Sequence, residues 1–199
     1  MLRNGQGVPR AAVTDSSATA ATGADTRALV ESLLTKIANT DRGAAMTEEQ
    51  KAEAARLIAQ LEKVGTKDPL KDPRIFGDWE VVYSSNPTSS GGSFRSTLGR
   101  TVLKTRDMVQ AVKEPNVVGN QVAFNALGVI PGEVTLEGTL TTDDYIWADV
   151  KFKRPTFKLG PFSFSFGGDS SVRLATTYLD ERIRLGKGSR GSSFVFKRK

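Results

Sequence analysis

Gly77-Asp78-Trp79-Glu80-Val81-Val82-Tyr83-Ser84 is the stretch whose reading decides the fold. Trp79, Val81 and Tyr83 fall on one face of an extended chain, with Asp78 and Glu80 on the other. Gly77 suits a tight strand entry, and Trp79 suits the wide closed end of a barrel. Just upstream, at Asp68-Pro69 and Asp72-Pro73, the period changes from helical to alternating. Downstream the alternation continues. Met108 to Lys113 and Gln121 to Leu127 read as two strands turning near Gly119-Asn120. Gly128 to Gly132 is another turn, and Val134, Leu136 and Leu140 mark a further segment. Ile146, Ala148, Val150 and Phe152 alternate against Trp147, Asp149, Lys151 and Lys153, the clearest half-buried strand in the chain. Phe162, Phe164 and Phe166 repeat every second residue; Val172, Leu174 and Tyr178, then Ile183 and Leu185, then Phe194 and Phe196 follow.

Some eight or nine short strands result, with turns between them and no helical pattern. Without crossover helices the sheet must be mainly antiparallel. A sandwich or a closed barrel fits this spacing. Closure also removes exposed strand edges.

Upstream, two helices are expected. Leu29, Leu33 and Ile37 recur every four residues behind Asp25, a good N-cap, and Gly43 is the expected stop. Thr47 and Gln50 form a capping-box pattern, Ala54, Leu57, Ile58 and Leu61 make the second apolar face, and Gly65 ends it. The chain thus divides into a leader at 1–24, a helical segment at 25–73 and a β-barrel at 74–199. The leader is rich in Ala, Ser and Thr, carries Arg3 and Arg10 and has no apolar h-region. It reads as a disordered tail or the remnant of an organelle transit peptide, not a secretory signal.

Composition excludes several chemistries. The 199 residues contain no cysteine and no histidine. Thiolate nucleophiles, disulfides, His-based triads and zinc sites of the usual N/S kind are therefore ruled out. No run approaches ~18 uninterrupted apolar residues, so no helical membrane span is expected. The net charge is +6. Residues 25–75 balance nine basic against nine acidic side chains, whereas residues 76–199 carry seventeen against twelve. Such a surplus either attracts anionic lipid or nucleic acid, or simply keeps the surface soluble.

Local motifs add little chemistry. Gly186-Lys187-Gly188-Ser189-Arg190-Gly191 spells G-x-G-x-x-G, but Phe194-Val195-Phe196 follows where a dinucleotide site needs a helix N-terminus. A hairpin loop is expected there. Asp143-Asp144 and Asp180-Glu181 are adjacent acids that point to opposite faces of a strand, which suits turns better than acid–base work. Aromatics beside cations on an exposed face, as base stacking requires, occur only around Phe152 and Phe157. The aromatics therefore point to a barrel interior, either filled or holding one apolar ligand, and not to nucleic acid.

Phe76-Gly77-Asp78-Trp79-Glu80-Val81-Val82-Tyr83-Ser84-Ser85 resembles the opening of the plastid lipid-associated proteins, also called plastid fibrillins. Thr177 to Gly186, then Gly191 and Phe194-Val195-Phe196, is similar to that family's closing signature, and the lead-in from Leu33 to Glu62 is similar too. Thr142-Asp143-Asp144-Tyr145 looks like a lipocalin Thr-Asp-x-x-Tyr region shortened by one residue. The resemblance implies a lipocalin-like antiparallel barrel after two N-terminal helices, in a chloroplast protein of thylakoids or plastoglobules. It implies contact with lipids, carotenoids or prenylquinones. Without His or Cys, any acid–base work would fall to Asp, Glu, Lys or Tyr, so binding is expected and not catalysis, with no cofactor or metal. On that basis Trp79 closes one barrel end, and Tyr83, Phe124, Phe152 and Tyr178 line the cavity. Lys151, Lys153, Arg154, Lys158 and Arg190 dock on the membrane. The alternative is a structural accessory protein that docks on a photosynthetic membrane complex without its own ligand.

Overall fold

The computed structural model describes residues 23–86, 102–142 and 144–199. Most of the expected leader lies outside these residues, as do Pro87, the Ser89-Ser90-Gly91-Gly92 run, Phe94 and Asp143.

Two helices open the chain, α1 (Gly23–Ile37) and α2 (Glu48–Lys63). Asp25 sits inside the first turn of α1 and not at its cap, where its charge still complements the helix dipole. α1 stops at Ile37, six residues before Gly43. The connection then passes through left-handed Asn39, Asp41 and Arg42 before Gly43 at φ 87°. The capping box of α2 forms as expected: Thr47 accepts from the Gln50 amide, and the Gln50 side chain accepts from the Thr47 amide.

Ten strands follow two short 3₁₀ turns, Pro69–Lys71 and Pro73–Ile75. They are β1 (Gly77–Ser84), β2 (Leu103–Lys113), β3 (Val117–Ala126), β4 (Ile130–Thr142), β5 (Trp147–Phe152), β6 (Thr156–Leu159), β7 (Phe162–Ser165), β8 (Ser170–Leu179), β9 (Ile183–Gly188) and β10 (Ser193–Arg198). All pairings are antiparallel. Eight strands close a barrel in the order β3-β2-β1-β10-β9-β8-β5-β4, sealed by β4 on β3. The β2–β3 turn lies at Glu114-Pro115-Asn116, so Gly119 and Asn120 sit within β3, against the expected turn there. The G-x-G-x-x-G stretch spans the β9–β10 hairpin, with no helix after it.

The remaining two strands form a hairpin that leaves the barrel. β4 pairs with β5 over Gly138–Thr142 but with β6 over Gly132–Thr135. β6 in turn pairs with β7. The wall β2-β3-β4-β6-β7 therefore flares outward beyond the closed part of the barrel.

Besides a register shift in β2 between Thr105 and Asp107, β-bulges in β1 and β8 redirect side chains. In β1 the register shifts between Val81 and Tyr83, and in β8 between Thr176 and Tyr178. Each extra residue exchanges inside for outside. Trp79, Val81 and Leu179 thus join the inner cluster with Met108, Val112, Phe194 and Phe196. Tyr83 and Tyr178 instead join Ile183, Leu185 and Val195 on the outer wall, beneath Val30, Leu33, Ala54, Ile58 and Leu61 of the two helices. Arg42 fastens the interhelical connection to that wall, donating to the Val81 carbonyl at 3.1 Å and the Arg106 carbonyl at 2.6 Å.

Candidate functional site

The closed end of the barrel is built around Trp79, which is fully buried. Its indole Nε1 donates to the Ile75 carbonyl at 2.9 Å, so the 3₁₀ turns form the floor. Arg198, its cross-strand neighbour, lies with Cζ 4.1 Å from the indole centre and donates to the carbonyls of Phe76 and Arg74. Gly77 makes this clamp possible. Its φ of 126° is a glycine conformation, and a Cβ there would lie 2.5 Å from Arg198 Nη1. Gly77→Ala is expected to cost about 1–3 kcal/mol, read as a lower urea midpoint with an unchanged m-value.

Above Trp79 the interior carries one polar string. Arg184 Nη2 donates to Gln110 Oε1, and Gln110 Nε2 donates to Asn120 Oδ1 at 3.1 Å. Arg184 is buried, with Cζ 4.1 Å from the Phe196 ring and 5.3 Å from Trp79. Burial, with repulsion from Arg198 added, pushes its guanidinium down to about 9. A cavity of about 20 Å³ remains beside it. That cavity has space for roughly one water.

Further up, the inner face is apolar and leaves the barrel. Directly paired residues share a face, so Met108, Val122, Val134, Phe157 and Phe164 form one row across β2-β3-β4-β6-β7. Phe124, Gly132, Leu159 and Phe162 form the next. The Phe124 ring lies over Gly132, where a Cβ would come within 2.4 Å of it, and Phe157 stacks on Phe164 at 5.6 Å. The opposite face carries Glu133, Lys158 and Ser163, then Thr135, Thr156 and Ser165. Phe162 is 72% exposed and Phe164 54%, as are Leu127 and Val129 (72% and 80%) in the neighbouring β3–β4 turn. The Gly160 amide bonds the Pro131 carbonyl, which holds hairpin tip and turn together.

The expected ligand-lining set therefore divides. Trp79, Phe124 and Phe152 lie on the inner face, Phe152 packing with Val118 and Val150. Tyr83 and Tyr178 lie under the helices because of the bulges, which corrects their expected place in the cavity. Tyr178 Oη donates to Asp180 Oδ2 at 2.7 Å, and Asp180 Oδ1 accepts from the amides of Arg182 and Ile183. Burial and the Asp180 carboxylate hold the Tyr178 phenol far above its usual range. Asp180 is thus a turn former, as is Asp144, which accepts from the amides of Ile146 and Trp147. The expected docking cations Lys151, Lys153, Arg154, Lys158 and Arg190 are all exposed. The first four run along the end of β5 and into β6, and Arg190 lies in the β9–β10 turn at the same, open end of the barrel. Sequence reasoning missed Arg184 and Gln110, and it missed that the Phe162 repeat is exposed.

A family model described as PAP_fibrillin matches residues 27–166. The chain belongs to the plastid lipid-associated protein, or plastid fibrillin, family. It is 47% identical over 171 residues to "Probable plastid-lipid-associated protein 8, chloroplastic" of Arabidopsis thaliana, covering 86% of this chain and 72% of that protein. It is 26% identical over 224 residues to "Plastid lipid-associated protein 2, chloroplastic" of Brassica campestris, covering 86% and 68%. No solved structure matches. Among the described residues of this plastid fibrillin, exposed Phe162, Phe164, Leu127 and Val129 gather at the flared rim, at the same end as its cluster of cations.

Proposed function

We propose that this plastid fibrillin is a non-enzymatic chloroplast protein that engages apolar lipid surfaces, at thylakoids or plastoglobules, through the open end of its barrel. The observation that carries this is the continuity of the inner apolar face with the exposed β6–β7 hairpin. Carotenoids and prenylquinones in such a surface meet that same face. The small cavity beside Arg184, together with the buried Trp79 at the floor, favours surface contact over enclosure of a whole carotenoid. Lys151, Lys153, Arg154 and Lys158 add attraction to anionic headgroups, about 1 kcal/mol each near a charged surface at low salt.

Flotation with lipid vesicles tests this. The protein is expected to float with neutral galactolipid vesicles and more tightly when anionic lipid is added. Changing the four cations to glutamine is expected to remove the anionic increment and leave the neutral binding. Failure to float with either vesicle would overturn the proposal.

A further inference from the structure

We propose that the base of the barrel is an anion site, with Arg184 as its cation, which takes the carboxylate of a single-chain lipid. The inference rests on the proposed lipid contact at the open end and extends it inward. Arg184 is only 3% exposed, yet no carboxylate pairs with it among the described residues. Its one hydrogen bond among them goes to the neutral amide of Gln110. Its Nε is buried and has no acceptor among the described residues. A second cation, Arg198, lies against the same Trp79 ring. An uncompensated buried charge costs several kcal/mol, and a neighbouring like charge raises that cost. An anion relieves both, whereas an uncharged group relieves only the missing hydrogen bond.

The available space narrows the class. The cavity beside Arg184 is about 20 Å³ and is lined by Gln110, Val112, Val118, Leu174 and Thr176. It has room for about one water, enough for one carboxylate oxygen beside Arg184 and too little for a glycosyl or phosphoester head. Gln110 is held by Asn120 with its oxygen toward Arg184, so the guanidinium is oriented before any ligand arrives. The acyl chain then runs upward along Met108 and Val122, the inner row just above Gln110 and Asn120. Met108 is unbranched and flexible, so it can yield to a chain. From there the path is the apolar face of the flared wall.

The test compares cis-parinaric acid with its methyl ester on the full chain, by fluorescence titration. The acid is expected to bind about 10- to 100-fold tighter, the contribution of a charge-assisted hydrogen bond. The preference is expected to survive 0.5 M salt, because the site is buried. Arg184→Gln is expected to bring the two within about twofold, and Arg184→Lys to retain part of the preference. Equal affinities in the unaltered protein would overturn the site and leave a buried water as the partner of Nε. A preference abolished by salt would overturn it too, assigning the acid to the surface cations. Should Arg184→Gln fail to fold, the comparison of acid, ester and salt in the unaltered protein decides alone. Protein that floats with vesicles but binds neither probe overturns the anion site and leaves the surface proposal standing.

Discussion

Trp79→Ala is expected to lower stability by about 3–5 kcal/mol, the range for truncating a fully buried aromatic. Three losses combine. The indole leaves a cavity at the floor of the barrel, next to Ile75, Val112 and Phe196. The Ile75 carbonyl loses its donor. Arg198 and Arg184 lose the ring that lies against both guanidinium groups, and two like charges then face a void. Thermal unfolding should show a fall in Tm on the order of 10 °C for a chain of this size. Trp79→Phe keeps most of the volume and loses the donor, so it should cost roughly half as much. A fall of less than 1 kcal/mol in the alanine variant would show that Trp79 does not plug the floor.

The largest functional effect is expected from Phe162→Ser combined with Phe166→Ser. Both side chains are more than 70% exposed, so the folded chain loses little by their removal. Each phenyl group entering lipid contributes up to about 1.5–3 kcal/mol. Removing two should weaken vesicle binding by about 2–4 kcal/mol, or roughly 30- to 1000-fold, with Tm unchanged. Undiminished flotation of this variant would place the lipid contact elsewhere. The cation variant offers the contrast: its loss should vanish at high salt, whereas the phenylalanine loss should persist.

Much of this was legible in the sequence, for physical reasons. The alternation of Ala148, Val150 and Phe152 against Asp149 and Lys151 was read correctly because one side of β5 faces the interior and the other faces water. The Thr47–Gln50 box was legible because capping is local. Tyr83 and Tyr178 were misplaced because a bulge is one residue in a pairing register, and register is a property of two strands. Arg184 was missed for a related reason. In Ile183-Arg184-Leu185 the apolar residues seemed to mark the inside, but α1 and α2 cover the outside of β9 and reverse the rule. The β2–β3 turn was misplaced because Gly119-Asn120 is the stronger local turn pair, yet pairing of β3 to β4 claims both residues. The Phe162 repeat was seen as a strand, but its exposure depends on β4 exchanging β5 for β6 halfway along its length.

The two helices have a mechanical consequence. They lie over the wall carrying Tyr83, Tyr178, Ile183, Leu185 and Val195, so that wall has packed side chains on both of its surfaces. Among the described residues, neither helix packs on the wall made by β2, β3, β4, β6 and β7, and its hairpin is largely exposed. One side of the barrel is thus backed by helices, and the other, among the described residues, is not. On the proposed reading, a guest chain reaching the interior would make its room by displacing the half without helices, the same half proposed to meet lipid. Arrival at a surface and the widening of the interior are then one deformation, with the helical side as its fixed backing.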